Sequence, residues 1–173
     1  MNITKLPLFL LGSLLFLPTL HADEAPVEYK IKAGYLYNFT KFITWPSDDN
    51  AKTFNLCLLG DDPFGDLINP IEQRNALGLP IKLIRLDRLT GQARCHIVYI
   101  SSLKNLPSVN AFTATLTVGE GKEFAEQGGM IGFENKEGRI KLQVNLQAIK
   151  KNSLKISAKL LEVSEIIGGE GHD

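Results

Sequence analysis

The stretch Tyr29-Lys-Ile-Lys-Ala-Gly-Tyr-Leu-Tyr-Asn-Phe-Thr-Lys-Phe-Ile-Thr-Trp45 holds half of the aromatic residues found after residue 22. At 3.6 residues per turn it predicts an amphipathic helix, which ends near Trp45 because Pro46 disfavours helical geometry at the preceding residue. The apolar face of this helix contains Ile31, Tyr35, Phe39, Phe42 and Ile43, with Leu36 and Trp45 at its edges. The opposite face contains Lys30, Thr40, Lys41 and Thr44.

Two interpretations of this helix remain open. In the first, the aromatic face packs on a core, and Lys32, which lies close to that face, extends outward along its own methylene groups. In the second, aromatic side chains are exposed for a partner protein. Tyr37, on the less apolar side of the helix, and Trp45 are then the candidate partner contacts.

Residues 1–22 predict a secretory signal peptide. Lys5 supplies a positive charge, a run rich in Leu and Phe follows, and Ala22 provides the small residue expected at a cleavage site. The run of about 15 residues is short for a bilayer span, although a retained membrane anchor is the alternative. We expect cleavage after Ala22 and export of a soluble protein that is not inserted in the membrane.

Cleavage would leave residues 23–167 as a single domain, followed by a disordered tail at residues 168–173. It would also remove Lys5 and no acidic residue, so that 18 basic and 19 acidic side chains give a net charge of −1. This balance gives no electrostatic argument for binding nucleic acid, which requires a basic surface.

The chain contains two cysteines, Cys57 and Cys95. In an oxidising compartment one disulfide is the simplest arrangement, and two buried free thiols are the alternative. A bridge would close a loop of about 39 residues and stabilise the fold by roughly 4 kcal/mol in the chain-entropy model.

Short apolar segments alternate with helical segments along the rest of the chain. Residues 95–100 form the clearest buried strand, and Arg139–Asn145 alternates apolar and polar residues, which predicts a strand in a hairpin at the sheet edge. Further strands are predicted at 54–59, 81–86, 114–118 and 130–134, and helices at 64–74, 122–127, 146–151 and 157–167. This order predicts an α/β fold, a three-layer α/β/α sandwich with a mixed, mostly parallel sheet and a C-terminal hairpin. A Cys57–Cys95 bridge would fit a doubly wound order in which the first and third strands are neighbours, although disulfides can also join loops.

Few residues of this chain are suited to catalysis. His96 lies in a predicted buried strand, and zinc-binding His-Glu-x-x-His, Gly-x-Ser-x-Gly and phosphate-binding loop motifs are absent from the sequence. We therefore predict no catalytic residue, no metal site and no cofactor, and we interpret His96 as a core or surface histidine.

The segment Gly60-Asp61-Asp62, followed by Pro63, is the best candidate for a ligand-binding loop. It joins a predicted strand to a predicted helix, at the edge of an α/β sheet where such folds usually bind ligands. Its two carboxylates would suit a small cationic or amphoteric ligand, and helix capping is the alternative role.

Several blocks of the sequence, taken in order, resemble the YfiR family of bacterial periplasmic proteins. The first block covers residues 28–46 and contains the aromatic stretch. Later blocks are Leu56-Cys-Leu-Leu-Gly-Asp-Asp-Pro-Phe64, Leu116-Thr-Val-Gly119, Gly128-Gly-Met-Ile131, Val144-Asn-Leu146 and Leu154-Lys-Ile-Ser-Ala-Lys-Leu-Leu161. The resemblance extends over residues 28–167.

The resemblance implies a small periplasmic regulator with an α/β sandwich fold, often dimeric, in which Cys57 and Cys95 match the position of one family disulfide. The namesake of the family represses an inner-membrane diguanylate cyclase through its periplasmic sensing domain, which lowers cyclic di-GMP and biofilm formation. Proteins of that type have a further cysteine pair later in the chain, which is missing here. Some relatives are extracytoplasmic domains of sensor kinases.

Two functional hypotheses follow. The first is a non-enzymatic regulator that contacts the periplasmic domain of a membrane protein, either a diguanylate cyclase or another sensor, and that forms a homodimer. The second is a periplasmic protein that binds or senses a small molecule and is coupled to a sensor kinase.

Overall fold

The computed structural model describes residues 24–88, 94–105 and 112–168. The predicted signal peptide, the cleavage position after Ala22 and residues 169–173 of the predicted tail lie outside these ranges. Four α-helices are described: α1 (Glu24–Phe42), α2 (Lys122–Glu126), α3 (Leu146–Lys151) and α4 (Ala158–Leu161). The strands are β1 (Ile43–Thr44), β2 (Phe54–Leu59), β3 (Asn75–Ala76), β4 (Leu79–Leu86), β5 (Ile97–Ile100), β6 (Leu116–Glu120), β7 (Ile131–Lys136), β8 (Arg139–Asn145), β9 (Lys155–Ile156) and β10 (Ser164–Ile167). Two 3₁₀ helices cover Gly65–Gln73 and Leu103–Asn105.

Eight of these strands form one sheet in the order β10-β8-β7-β6-β5-β2-β4-β3. Only the neighbours β7–β8 and β3–β4 are antiparallel, and the other pairs are parallel. β2 and β5, the predicted first and third strands, lie side by side with Cys57 opposite Val98. The predicted α/β fold with a mixed, mostly parallel sheet is therefore confirmed.

Helix α1 ends earlier than predicted. It runs from Glu24 to Phe42, and the next two residues form β1, which pairs antiparallel with β9. The carbonyl of Phe42 accepts a hydrogen bond from the Ser157 amide at 2.8 Å. The chain thus leaves helical geometry before Pro46, because hydrogen bonds to a distant segment replace those of another helical turn.

The buried face of α1 is rotated relative to the prediction. Leu36 and Phe39 are fully buried as expected, but Ile31 is 44 % exposed and Lys32 is only 1 % exposed. The expected exposure of Lys32 is therefore wrong, and so is the expected burial of Ile31. A lysine can occupy the centre of this face because two carboxylates, described below, neutralise its charge.

The C-terminal segment also differs from the prediction. Residues 157–167 do not form one helix: α4 ends at Leu161, and β10 pairs in parallel with β8. Consequently the β7–β8 hairpin forms as predicted but does not lie at the sheet edge, because β10 covers it. The short α4 is capped by Ser157, whose Oγ accepts from the Leu160 amide at 3.4 Å.

The sheet is covered unequally on its two faces. One face packs under α1 in a large apolar cluster that includes Leu36, Phe39 and Phe133. The opposite face carries a small cluster whose members are Cys57, Leu59, Cys95, Val98, Ile100 and Phe124. Successive strand residues point to opposite faces, which explains why neighbours along β2 belong to different clusters. A disulfide joins Cys57 to Cys95 within the small cluster.

Phe124 of α2 fills a slot between two glycines. A Cβ atom built on Gly119 would lie 2.3 Å from the ring of Phe124, and one built on Gly129 would lie 2.2 Å from it. Any larger residue at either position would displace the ring, so the two glycines bring α2 into contact with the sheet.

Candidate functional site

Helix α1 crosses the sheet from the carboxyl ends of the parallel strands to their amino ends. Its first turns lie near Glu120, the last residue of β6. Trp45, which follows the end of the helix, hydrogen-bonds to His96, which precedes β5. Near the carboxyl ends, Tyr29 packs edge-to-face on Phe64, with ring centroids 5.4 Å apart. Phe64 packs in the same way on Tyr99 of β5, at 4.8 Å.

Lys32 lies at the centre of this region, in a group of residues that we call the buried lysine cluster: Glu28, Tyr29, Lys32, Tyr99 and Glu120. The Nζ atom of Lys32 lies 2.6 Å from Oε2 of Glu120 and also pairs with Glu28, one helical turn earlier. It lies 4.7 Å from the centroid of the Tyr29 ring. The hydroxyl of Tyr99 donates a hydrogen bond to the other carboxylate oxygen of Glu120.

The charges of the cluster stabilise one another. Burial alone would lower the pKa of Lys32, but hydrogen bonds to Glu120 and Glu28 outweigh burial and raise this pKa above its ordinary value. Burial alone would raise the pKa of Glu28, but hydrogen bonds from Lys32 and Asn135 outweigh it and lower the pKa. Burial, followed by the charge of Glu120, raises the pKa of both Tyr29 and Tyr99.

At neutral pH the cluster therefore holds a charged lysine, ionised Glu28 and protonated tyrosines. A lysine with a raised pKa is a poor nucleophile and a poor general base, since both roles need the neutral amine. The arrangement is suited to fixing α1 on the sheet and not to catalysis.

The candidate ligand loop lies at the same edge of the sheet. Oδ1 of Asp62 accepts from the amides of Phe64 and Gly65 at 2.8 and 3.1 Å, and Oδ2 accepts from Arg85 Nε at 2.7 Å. Asp62 thus orders the start of the 3₁₀ helix, in line with the capping alternative. Gly60 has a φ of 84°, which favours glycine, and Asp61 is exposed. Binding of a ligand by Gly60, Asp61 and Asp62 remains a prediction.

His96 takes part in the packing near the amino ends of the strands. Its ring stacks on Phe54 at 4.5 Å, and its Nδ1 accepts from the Asn55 amide at 3.0 Å. Burial lowers the pKa of His96, and the charge of Asp48 only partly opposes this. The uncharged ring is thus held by neighbouring backbone and aromatic groups, as expected for a packing histidine.

The two predicted partner contacts differ in exposure. Trp45 is buried, packs at 5.2 Å on Phe54, and donates from Nε1 to the His96 carbonyl at 3.0 Å. A buried indole offers little surface to a partner. Tyr37 is only partly buried, and its ring lies near the side chains of Lys41 and Arg74. Of the two predicted contacts, we therefore retain Tyr37.

Residues 29–165 match the family model described as YfiR/HmsC-like. The chain belongs to the YfiR/HmsC-like family. Membership of this family points to a periplasmic, non-catalytic regulator of cyclic di-GMP signalling that acts with a periplasmic partner. Among curated proteins, none matches this chain.

The matched region of this YfiR/HmsC-like chain includes the disulfide and all of the buried lysine cluster except Glu28. Throughout residues 24–88, 94–105 and 112–168 there is no group of three His, Cys, Asp or Glu residues that could hold a metal ion. Over the same ranges, every helix is too short or too polar to cross a membrane.

Sequence reasoning did not identify Tyr99 and Glu120 as site residues. The only local signal for the cluster was Lys32 itself, a lysine beside an apolar helical face. Such a lysine either extends to solvent or pairs with a carboxylate, and the sequence does not show which of the two occurs.

Proposed function

We propose that this YfiR/HmsC-like protein is a periplasmic repressor of an inner-membrane diguanylate cyclase. In this proposal residues 1–22 are removed after Ala22, and the mature domain acts without catalysis. It binds the periplasmic domain of the cyclase and so lowers cyclic di-GMP and biofilm formation. The family match over residues 29–165 carries the proposal.

The described geometry supports a role that depends on contact with another protein. The charged groups of the buried lysine cluster are engaged with one another, and Asp62 is engaged with backbone amides and Arg85. These groups hold the fold together and are not arranged around a reacting atom. A protein of this kind transmits a signal through its surface, either as a monomer or as the homodimer that the family resemblance implies.

The test is a measurement of cellular cyclic di-GMP in a strain that lacks the gene. We expect cyclic di-GMP to rise in this strain and to return to the wild-type level when the full chain is expressed. The matched control is the chain without residues 1–22, which should accumulate in the cytoplasm and fail to restore repression. Unchanged cyclic di-GMP on deletion would contradict the proposal.

A small-molecule sensor is the second candidate, and the exposed Asp61 beside Gly60 favours it. These residues follow β2 next to β5, at the edge where α/β sheets bind ligands. Native mass spectrometry of the purified periplasmic protein, and of its Asp61→Asn variant, tests this candidate. A small molecule bound to the wild type and absent from the variant would favour it, whereas equal occupancy would exclude Asp61 from the site.

A further inference from the structure

Positive charge is concentrated in one segment of the C-terminal part of the chain. Between Glu137 and Glu162 the sequence has six basic residues and no acidic one, whereas the rest of the chain has 13 basic and 19 acidic residues. Two of the six begin β8, where the charge of Lys141 acts on Glu165. The other four lie between positions 150 and 159, and we call them the lysine patch: Lys150, Lys151, Lys155 and Lys159.

The fold turns all four members of the lysine patch towards solvent. Two of them end α3, one lies in β9 and one lies in α4, and each is exposed. The large apolar residues Ile149, Leu154 and Leu160 of the same segment are buried. The Leu154 amide donates to the Ile149 carbonyl at 3.2 Å, which folds the chain back after α3. Successive members of the patch are at most four positions apart, a distance of about 14 Å even for fully extended chain.

The charge of the lysine patch is not neutralised by neighbouring carboxylates. Within residues 24–88, 94–105 and 112–168, none of the four lysines is part of an ion pair. On the neighbouring strand β1, the residue opposite Lys155 is the uncharged Thr44. Lysines in the last turn of α3 stabilise that helix, but Lys155 and Lys159 lie outside it and only add to the repulsion between like charges. The patch is therefore suited to an anionic ligand.

The composition of the lysine patch distinguishes between two kinds of anionic ligand. Interfaces with another protein are depleted of lysine and depend on aromatic or large apolar residues near their centre. Over residues 150–159 the exposed residues are only Ser153, Ala158 and the four lysines. Lipid headgroups need no apolar anchor, because long and flexible lysine side chains reach them as point charges. An anionic membrane surface therefore fits the patch better than an acidic segment of a protein.

We propose that the lysine patch binds the anionic phospholipid headgroups of the inner membrane, at its periplasmic surface and without insertion. The inference rests on the export that the proposed function assumes, and it adds a second contact to the one with the cyclase. Clusters of four or more basic residues are sufficient for such attraction. Binding confines the protein to the layer that holds its partner, and it turns α3 and β9 towards the lipid.

The test is co-sedimentation of the purified protein, expressed as the full chain, with lipid vesicles. Two kinds of vesicle are compared: phosphatidylcholine alone, and phosphatidylcholine mixed with an equal amount of the anionic lipid phosphatidylglycerol. We expect binding to the anionic vesicles only. The protein should be released as salt is added, because ions screen the attraction between exposed charges.

The variant that tests the patch is Lys155→Gln combined with Lys159→Gln, which leaves the lysines at the end of α3 in place. Each lysine near an anionic surface raises affinity about fivefold, so the double variant should bind anionic vesicles about 25-fold more weakly than the wild type. Its melting temperature should not change, because both side chains are exposed and unpaired.

The matched control is Lys30→Gln combined with Lys82→Gln. It removes the same charge from exposed lysines of α1 and β4, neither of which forms an ion pair with a described residue. Because these lysines lie outside the patch, the control should bind anionic vesicles as the wild type does.

Several results would overturn the proposal and leave the proposed repressor intact, since cellular cyclic di-GMP tests the repressor separately. They are no binding to either kind of vesicle, equal binding to both, and equal affinity of the wild type and the Lys155→Gln, Lys159→Gln variant for anionic vesicles. If vesicles are not bound but this variant binds the periplasmic domain of the cyclase more weakly than the control does, the patch belongs to an acidic protein partner instead.

Discussion

The two faces of the sheet are stabilised in different ways. On the face under α1, a helix of 19 residues covers a large cluster that includes Leu36, Phe39 and Phe133. On the opposite face, the five-residue helix α2 contributes Phe124 to a cluster of six buried residues. This opposite face, which we call the small face, therefore has fewer buried apolar side chains than the face under α1.

The small face is also stabilised by a disulfide and by close packing, which do not require a large buried apolar area. The Cys57–Cys95 disulfide joins β2 to the segment that precedes β5, and glycines at positions 119 and 129 admit the ring of Phe124. The α1 face instead depends on apolar burial and on the ion pairs of Lys32. We conclude that variants of the two faces should differ in their response to reductant, pH and small changes in volume.

The largest expected effect follows from removing the disulfide. Replacing Cys57 and Cys95 together by alanine should lower the free energy of unfolding by about 4 kcal/mol, because the unfolded chain regains the entropy of an open loop. Urea denaturation of the double variant and of the wild type, with and without reductant, measures this change. A loss below about 1 kcal/mol would show that the small face does not depend on the bridge.

The next effect concerns the α1 face. Lys32→Met keeps an apolar side chain of similar length but leaves Glu28 and Glu120 without their cation. Because these carboxylates are 25 % and 33 % exposed, we expect a loss at the lower end of the range for broken buried pairs, about 3 kcal/mol at pH 7.

The pH dependence of Lys32→Met distinguishes lost charge pairing from lost packing. Two neighbouring carboxylates without a cation take up a proton more readily, so part of the lost stability should return at pH 5. Lys30→Met, an exposed change in the same helix, should alter stability by less than about 0.5 kcal/mol. If Lys32→Met loses the same free energy of unfolding at pH 5 as at pH 7, lost charge pairing is not the cause.

A smaller effect is expected from adding a methyl group to the small face. Gly119→Ala places a Cβ atom 2.3 Å from the Phe124 ring and should lower stability by about 2 kcal/mol through overpacking. The matched control is Gly34→Ala on α1, where a Cβ atom meets nothing within 4 Å. This control should stabilise the protein by about 0.5–1 kcal/mol, because alanine restricts the unfolded chain more than glycine does.

A second substitution identifies the cause of the loss in Gly119→Ala. If the ring of Phe124 is displaced, Phe124→Leu should lower the free energy of unfolding by less in the Gly119→Ala background than in the wild type. Additive losses in thermal or urea denaturation would mean that the contact with Phe124 is not the reason.

The smallest expected effect is that of pH on His96. Its pKa is lower in the folded protein than its ordinary value of 6.5, so below pH 6.5 the unfolded chain binds a proton that the folded chain does not. Stability should therefore fall as the pH decreases from 6.5 towards the folded pKa. The stability of His96→Gln should change less between pH 7 and pH 5.5 than the stability of the wild type does. An identical pH dependence in the two proteins would refute the assignment of this effect to His96.

Local patterns in the sequence predicted much of the fold. Strand β8 was predicted with its observed bounds, because its alternation of apolar and polar residues has a period of two. The neighbouring positions of β2 and β5 agree with the doubly wound order that a disulfide between the first and third predicted strands would fit. Strand β10 was missed because it has four residues and follows α4 closely, so its apolar residues fit a helical spacing equally well.

The buried lysine cluster was not predictable for a different reason. Lys32 and Glu120 are 88 residues apart in the sequence, and either residue alone is consistent with an exposed surface. The pairing depends on where α1 crosses the sheet, which hydrophobic periodicity does not determine. The positive φ of 52° at Leu77 was equally hidden, because an apolar residue before a glycine does not reveal its φ angle.

The contacts of α1 have a consequence for the time course of folding. Although α1 comes early in the chain, the ion pair of Lys32 forms only once Glu120 is in place. Likewise, Glu28 can accept its hydrogen bond only once Asn135, 107 residues later, is in place. Contacts between such distant residues slow folding, because a long loop must close before they form. If the chain is exported as proposed, the aromatic face of α1 would stay uncovered until most of the chain had crossed the membrane, a period in which periplasmic chaperones could bind it.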